Sequence, residues 1–165
     1  MIKLKDIAKK YGEYELDEDK LKEILIEPRP KKIWDLIKND VYYYLNDQGG
    51  IASSKWDEYE VDHRKRAIGN VFLTREDAEF ERERLKIEAE MLKYGGTRDM
   101  MSLGDENIKK YFIECYHDPK SSSLCIDYHW SVHHGMIYFK SEEAAKYAIN
   151  AIGEGRIKKY LFYVK

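Results

Sequence analysis

The chain has 165 residues, which bounds it to one ordinary domain or two small ones with a real core. Its charged fraction of 36% is high, yet the net charge is only −2 and the pI about 6.2, so the bulk composition excludes both a nucleic-acid polycation and a polyanionic mimic. The sequence has no charged-then-apolar leader and no apolar run near the ~20 residues of a membrane span, which predicts a cytoplasmic protein with reduced thiols.

In chain order, residues 4–11 place Leu4, Ile7, Ala8 and Tyr11 on one face of a short helix stopped by Gly12. A second helix follows Asp17, with Leu21, Ile24 and Leu25 on one face, acids in its first turn, and Pro28 and Pro30 at its end. Residues 1–32 therefore read as a helical arm with a proline-rich linker. The rest of the chain repeats itself. A first module, residues 33–96, runs from the strand Tyr42-Tyr43-Tyr44-Leu45 through the turn Asn46-Asp47-Gln48-Gly49-Gly50 to a strand containing Trp56. A charged insertion ending His63-Arg64-Lys65-Arg66 follows, then a Gly-led strand at 69–73 and a helix capped by Thr74. After a connector, residues 97–108, in which Met100 and Met101 hint at packing, the second module, residues 109–165, repeats the order. It has a strand at Tyr111-Phe112-Ile113, a strand from Cys125 to Trp130, a strand at 135–140 and a helix capped by Ser141. The predicted fold is α+β, two tandem β-β-β-α modules behind the arm. The last segment, 157–164, reads equally as a short helix or a closing strand.

The helix at 75–94, closed by Gly95-Gly96, carries two apolar stripes about 200° apart: Ala78, Leu85, Ala89 and Leu92, and opposite them Phe80, Ile87, Met91 and Tyr94. One small sheet cannot cover both. Either the second module or the arm covers the far stripe, or that stripe meets a homodimer mate or a partner protein.

The chemistry-bearing residues are sparse. Cys115, His117, Cys125, His129 and His133-His134 are zinc-ligand types, but their spacing fits no paired ligand arrangement except His129-x3-His133, so no metal is predicted. Cys115 and Cys125 flank the turn Asp118-Pro119-Lys120-Ser121, where a hairpin disulfide is the alternative to free thiols. Asp62-His63 lacks a positioned nucleophile, and the acid pairs Glu76-Asp77 and Glu142-Glu143 are explained by helix capping. No phosphate loop, nucleophile elbow or His-Glu helix motif is present, so neither enzyme activity nor a cofactor is predicted. Tyr42, Tyr44 and Trp56 near Arg64, Lys65 and Arg66, and Tyr111, Tyr128 and Trp130 in the repeat, are the residue types that stack and hold single-stranded nucleic acid; their other role is cross-strand packing.

The residues Leu4-Lys5-Asp6-Ile7-Ala8-Lys9-Lys10-Tyr11-Gly12, the Asp17 to Pro30 helix and linker, Ile33-Trp34-Asp35-Leu36, and Gly69 to Glu79, with Gly135 to Ser141 and Ile152 to Phe162, together resemble a group of small proteins encoded by phages and prophages of Gram-positive bacteria. The resemblance implies that genomic setting, in the host bacterial cytosol. It suggests a non-enzymatic accessory protein that binds a host defence protein and blocks it sterically, as anti-CRISPR inhibitors do. The expected anchors are Phe80, Arg84, Ile87, Met91 and Tyr94 on the helix, with Trp56, Arg64, Lys65, Arg66, Tyr128 and Trp130 on the modules, since Tyr, Trp and Arg dominate interface hot spots. The alternatives are a single-stranded nucleic-acid-binding factor of phage replication and a pocket that sequesters a nucleotide signal.

Overall fold

A computed structural model of the protein describes residues 6, 9 and 10, 30–98, 107–118, 121–133 and 135–164. The chain divides into two compact units, Met1–Lys32 and Ile33–Lys165. In the first, residues 6, 9 and 10 are helical, and the helix expected after Asp17 lies outside the described residues, as do Met100 and Met101.

The second unit opens with a 3-10 turn, Ile33–Asp35, and a hairpin of β1, Val41–Leu45, and β2, Ile51–Lys55, in the register Val41 to Lys55 and Leu45 to Ile51. Asn46 builds the turn: its Oδ1 accepts the amides of Gln48 at 3.1 Å and Gly50 at 2.7 Å, the local bonding that makes asparagine a turn residue. Trp56 follows β2 rather than lying in it. The charged insertion forms a helix, α1, Glu60–Ala67. The Gly-led strand expected at 69–73 is reduced to one bridge, in which Tyr43 and Phe72 exchange both backbone hydrogen bonds at 2.9 Å. Asn70 extends that bridge with its side chain, Oδ1 accepting the Leu45 N–H and Nδ2 donating to the Leu45 carbonyl, each at 2.8 Å.

Helix α2, Arg75–Lys93, starts where the Thr74 hydroxyl accepts the Asp77 amide at 3.1 Å and ends before Gly95, which supplies a left-handed φ of 98°. Strand β3, Gly96–Thr97, then joins the second sheet, whose order is β3-β6-β4-β5. Here β4, Lys110–Asp118, and β5, Ser121–His129, form a hairpin nine residues long without a register slip, and β6 is only Tyr138–Phe139. Helix α3, Glu142–Ile152, is capped by Ser141, whose hydroxyl accepts the Ala144 amide at 3.2 Å. Helix α4, Glu154–Leu161, resolves the ambiguous last segment as helix.

The architecture of the described residues is mixed α+β with two antiparallel sheets, but one has two strands and the other four, which differs from two equal β-β-β-α modules. Residues 33–165 fall in one unit because α2 serves both halves: it packs on β1 and β2 and also on α3 and α4. The main core is Ile87 and Met91 of α2 with Phe139, Ala145, Ala148, Ile152 and Ile157. A smaller one gathers Leu36, Tyr42, Trp56 and Val71, and a third, on the outer face of the larger sheet, joins Phe112 and Tyr138 under Val132 and Met136.

Candidate interaction surface

The aromatic and basic residues of the first half turn out to hold the fold together. Tyr42 and Trp56 are buried, edge-on to each other at 5.9 Å, which removes both as stacking platforms for bases or as partner anchors. Helix α1 lies against them through its polar side. Asp62 is buried and accepts hydrogen bonds from the Tyr42 hydroxyl at 2.6 Å and the amides of Asp57 at 3.1 Å and Tyr59 at 3.3 Å. Burial opposes ionisation of Asp62, but those three donors and the charge of Lys65 outweigh it and hold the carboxyl below the ordinary carboxylate range. Burial, reinforced by the Asp62 bond, pushes the Tyr42 phenol well above its ordinary value. Lys65 stands 3.5 Å from the Tyr44 ring centroid, and the Arg66 guanidinium lies near two indoles, 4.5 Å from Trp56 and 4.9 Å from Trp34. Only Arg64 of the three basic residues faces outward, paired with Glu60 at 2.5 Å.

On α2 the structure takes the first of the two alternatives that the pattern left open, a far stripe that is covered, so its residues are not the expected partner anchors. Ile87 is 0% and Met91 3% exposed, packed against α3, α4 and β6, so neither meets a partner. Phe80 lies between Tyr160 and Tyr163, with centroids at 5.1 and 5.3 Å, and Tyr94 packs on the core edge-on to Tyr147. The second half thus covers this face. The other stripe is covered only at Ala78; Leu85 is 42% exposed, Leu92 39%, and Ala89 between them is exposed too. Beside Leu85 opens a groove of about 450 Å³ lined by Leu45, Ile68, Phe72 and Leu85, with Asn70, Glu81 and Arg84 on its polar wall; Ile68 at its lip is 79% exposed.

Arg84 is shared between this groove and a second cavity, of about 320 Å³, walled by Met91, Ile113, Ile137, Phe139, Leu161 and Phe162. Its guanidinium is bound by Glu81, at 2.6 and 2.7 Å, and by Glu88, which also takes Arg98 at 2.5 Å. A phosphate entering that cavity would have to displace a carboxylate.

The remaining expected anchors, Tyr128 and Trp130, lie apart from these, on the larger sheet. Their rings are edge-on at 5.9 Å, both are exposed, and Lys109 stands 4.2 Å from the Tyr128 centroid. The cysteines face opposite ways: the register sets Cys115 opposite Leu124 and Cys125 opposite Glu114, and directly opposed residues share a face, so the two thiols lie on different faces and are free. Burial, with the Glu114 carboxylate at 3.3 Å, pushes the Cys125 thiol up to about 11, which keeps it protonated at neutral pH. His129 stacks on Phe112 at 4.6 Å and meets His133 at 4.9 Å. Among the described residues no three His, Cys, Asp or Glu side chains gather as a metal site. No described helix is long and apolar enough to cross a membrane.

No protein-family model matches the chain, and no curated protein or solved structure is similar to it.

Proposed function

We propose that the chain is a non-enzymatic binding protein that occupies a surface on another protein through the outer stripe of α2 and the groove beside it. The observation that carries this reading is the run of Leu85, Ala89 and Leu92, exposed along a helix whose opposite face is core, continuing into a groove walled by Leu45 and Phe72. Contiguous apolar surface of this kind on a soluble protein marks a contact site. The sequence resemblance supplies the setting: a phage or prophage accessory protein whose partner is a host defence protein, inhibited sterically in the manner of an anti-CRISPR protein. An interface of ordinary size needs ~800 Å² per partner, within reach of one face of a chain this large. The same pairing in both halves, Phe72 to Tyr43 and β6 to β4, supports an ancestral β-β-β-α duplication in which the first copy's third strand has shrunk.

The test compares the wild-type chain with Leu85→Glu/Leu92→Glu in pull-downs from a Gram-positive host lysate, with and without nuclease, alongside urea unfolding and sedimentation. A nuclease-resistant protein captured by the wild type and lost by a variant of unchanged stability supports the reading. Retention of that protein by the variant overturns it, and a wild-type dimer that the variant dissolves reassigns the stripe to self-association.

A second reading rests on Tyr128, Trp130 and Lys109, an exposed aromatic pair beside a cation, as used to stack single-stranded bases. It requires salt-sensitive binding of an oligothymidine that Trp130→Ala abolishes; binding indifferent to that substitution removes it.

A further inference from the structure

Strand β5 is an edge. Among the described residues it pairs with β4 alone, it is nine residues long, and Ser121–His129 contains no proline, lysine or arginine and no bulge. Such a strand offers a row of unpaired backbone groups to any other chain, and lysines, prolines and bulges are the devices that ordinarily block it. In an antiparallel ladder, alternate residues turn both backbone groups to the same neighbour. The Tyr128 N–H donates to the Asp127 Oδ1 at 2.7 Å rather than to β4, so Ser122, Leu124, Ile126 and Tyr128 address the free side. A second carboxylate stands near the same rim from elsewhere in the fold: Glu154, at the start of α4, is held by Lys158 at 2.5 Å, and that lysine first, with the Leu124 N–H as the least of its neighbours, keeps it below its ordinary value. One of the four outward amides is thus already engaged by a side chain, and a second carboxylate adds negative charge along the line an incoming strand would follow.

We infer that Asp127 and Glu154 are guards on the β5 edge, the first capping an outward amide and the second adding its charge beside it, which together keep copies of this chain from pairing edge to edge. The guard works in two ways. An incoming strand must break the charge-assisted hydrogen bond at Tyr128 to reach that amide, and an antiparallel self-pairing of β5 would gather four carboxylates at one seam. This device is separate from the α2 surface.

The test is sedimentation velocity over a wide concentration range, with hydrogen exchange of the β5 amides. The wild type is expected as a single 19.7 kDa species in which Ser122 and Ile126 exchange freely. Asp127→Ala/Glu154→Ala is expected to associate with rising concentration, at least roughly doubling the apparent mass and protecting Ser122, Leu124, Ile126 and Tyr128 together. Adding Ser122→Pro, which removes an outward N–H that β4 does not use, is expected to weaken that association and distinguishes strand pairing from misfolding. A double variant that stays monomeric, a wild type already associated through these amides, or a triple variant that associates as strongly as the double each overturns the inference.

Discussion

Asp62 has three hydrogen-bond donors and one nearby cation, and each donor loses its partner if the carboxylate goes. Asp62→Ala should therefore cost about 3 kcal/mol in urea unfolding, whereas Tyr42→Phe, which leaves the carboxylate two amide donors, should cost about 1 kcal/mol. The pH dependence follows from the direction of the shift. A carboxyl held below its ordinary value in the folded state contributes stability that is present above the unfolded value, about 4, and is lost as pH falls through the folded one. Tyr42 has the reverse sign: its raised value contributes stability below about pH 10 that is lost as pH rises beyond it. Measured stability should fall in both limbs, and the acid limb should flatten in Asp62→Asn. Asn70 and Gly96 are the other single residues with large expected effects. Asn70→Ala removes both bonds to the Leu45 backbone and should cost about 2 kcal/mol. A Cβ at Gly96 would lie 2.6 Å from Ile137 Cγ2 and 2.8 Å from the Met91 carbonyl oxygen, and since the second is backbone, Gly96→Ala should cost about 2 kcal/mol or more.

At the scale of elements, the helices with hydroxyl caps were legible and the helix without an apolar stripe was not. Thr74 and Ser141 sit three residues before the amides they accept, and both α2 and α3 start there. Helix α1 escaped because its inward side is Asp62, Lys65 and Arg66, which pack as a hydrogen-bonded carboxylate and two cations over rings; apolar periodicity cannot register such a face. The two stripes of α2 were both visible, but which one is covered is decided by α3 and α4, more than fifty residues later in the chain. The same pair of stripes gives a sharp contrast in stability. Ile87→Ala should cost about 3 kcal/mol, while Leu85→Ala on the exposed side should stay within about 0.5 kcal/mol. If the two cost the same, the assignment of inner and outer faces is wrong.

Across the whole molecule, α2 is the member on which both sheets depend. The two-stranded sheet has a core of four buried side chains, and a hairpin of that size is marginal without a packed helix. A fragment of residues 33–73 is accordingly expected to be unfolded by circular dichroism. In the intact chain the amides of β1 and β2 should exchange faster than those of β4 and α2, and equal protection would contradict that ranking. The link between α2 and α4 through Arg156 and Glu90, at 3.0 and 3.2 Å, is part-exposed, so a double-mutant cycle should give less than about 1 kcal/mol. The repeated order of residue types could be read in the sequence. The unequal sheets could not, because Phe72 alone and Tyr138-Phe139 carry the same pattern while making one bridge and a short strand.

The placement of the three tryptophans has an optical consequence. Trp56 is sealed in the smaller core with an imidazole and a phenol edge-on to it, while Trp34 and Trp130 stand in solvent. Their emission should therefore separate by wavelength, one short and two long. Replacing Trp34 and Trp130 by phenylalanine would leave a single internal lamp in the two-stranded half, whose reddening reports the opening of that half without reference to the rest.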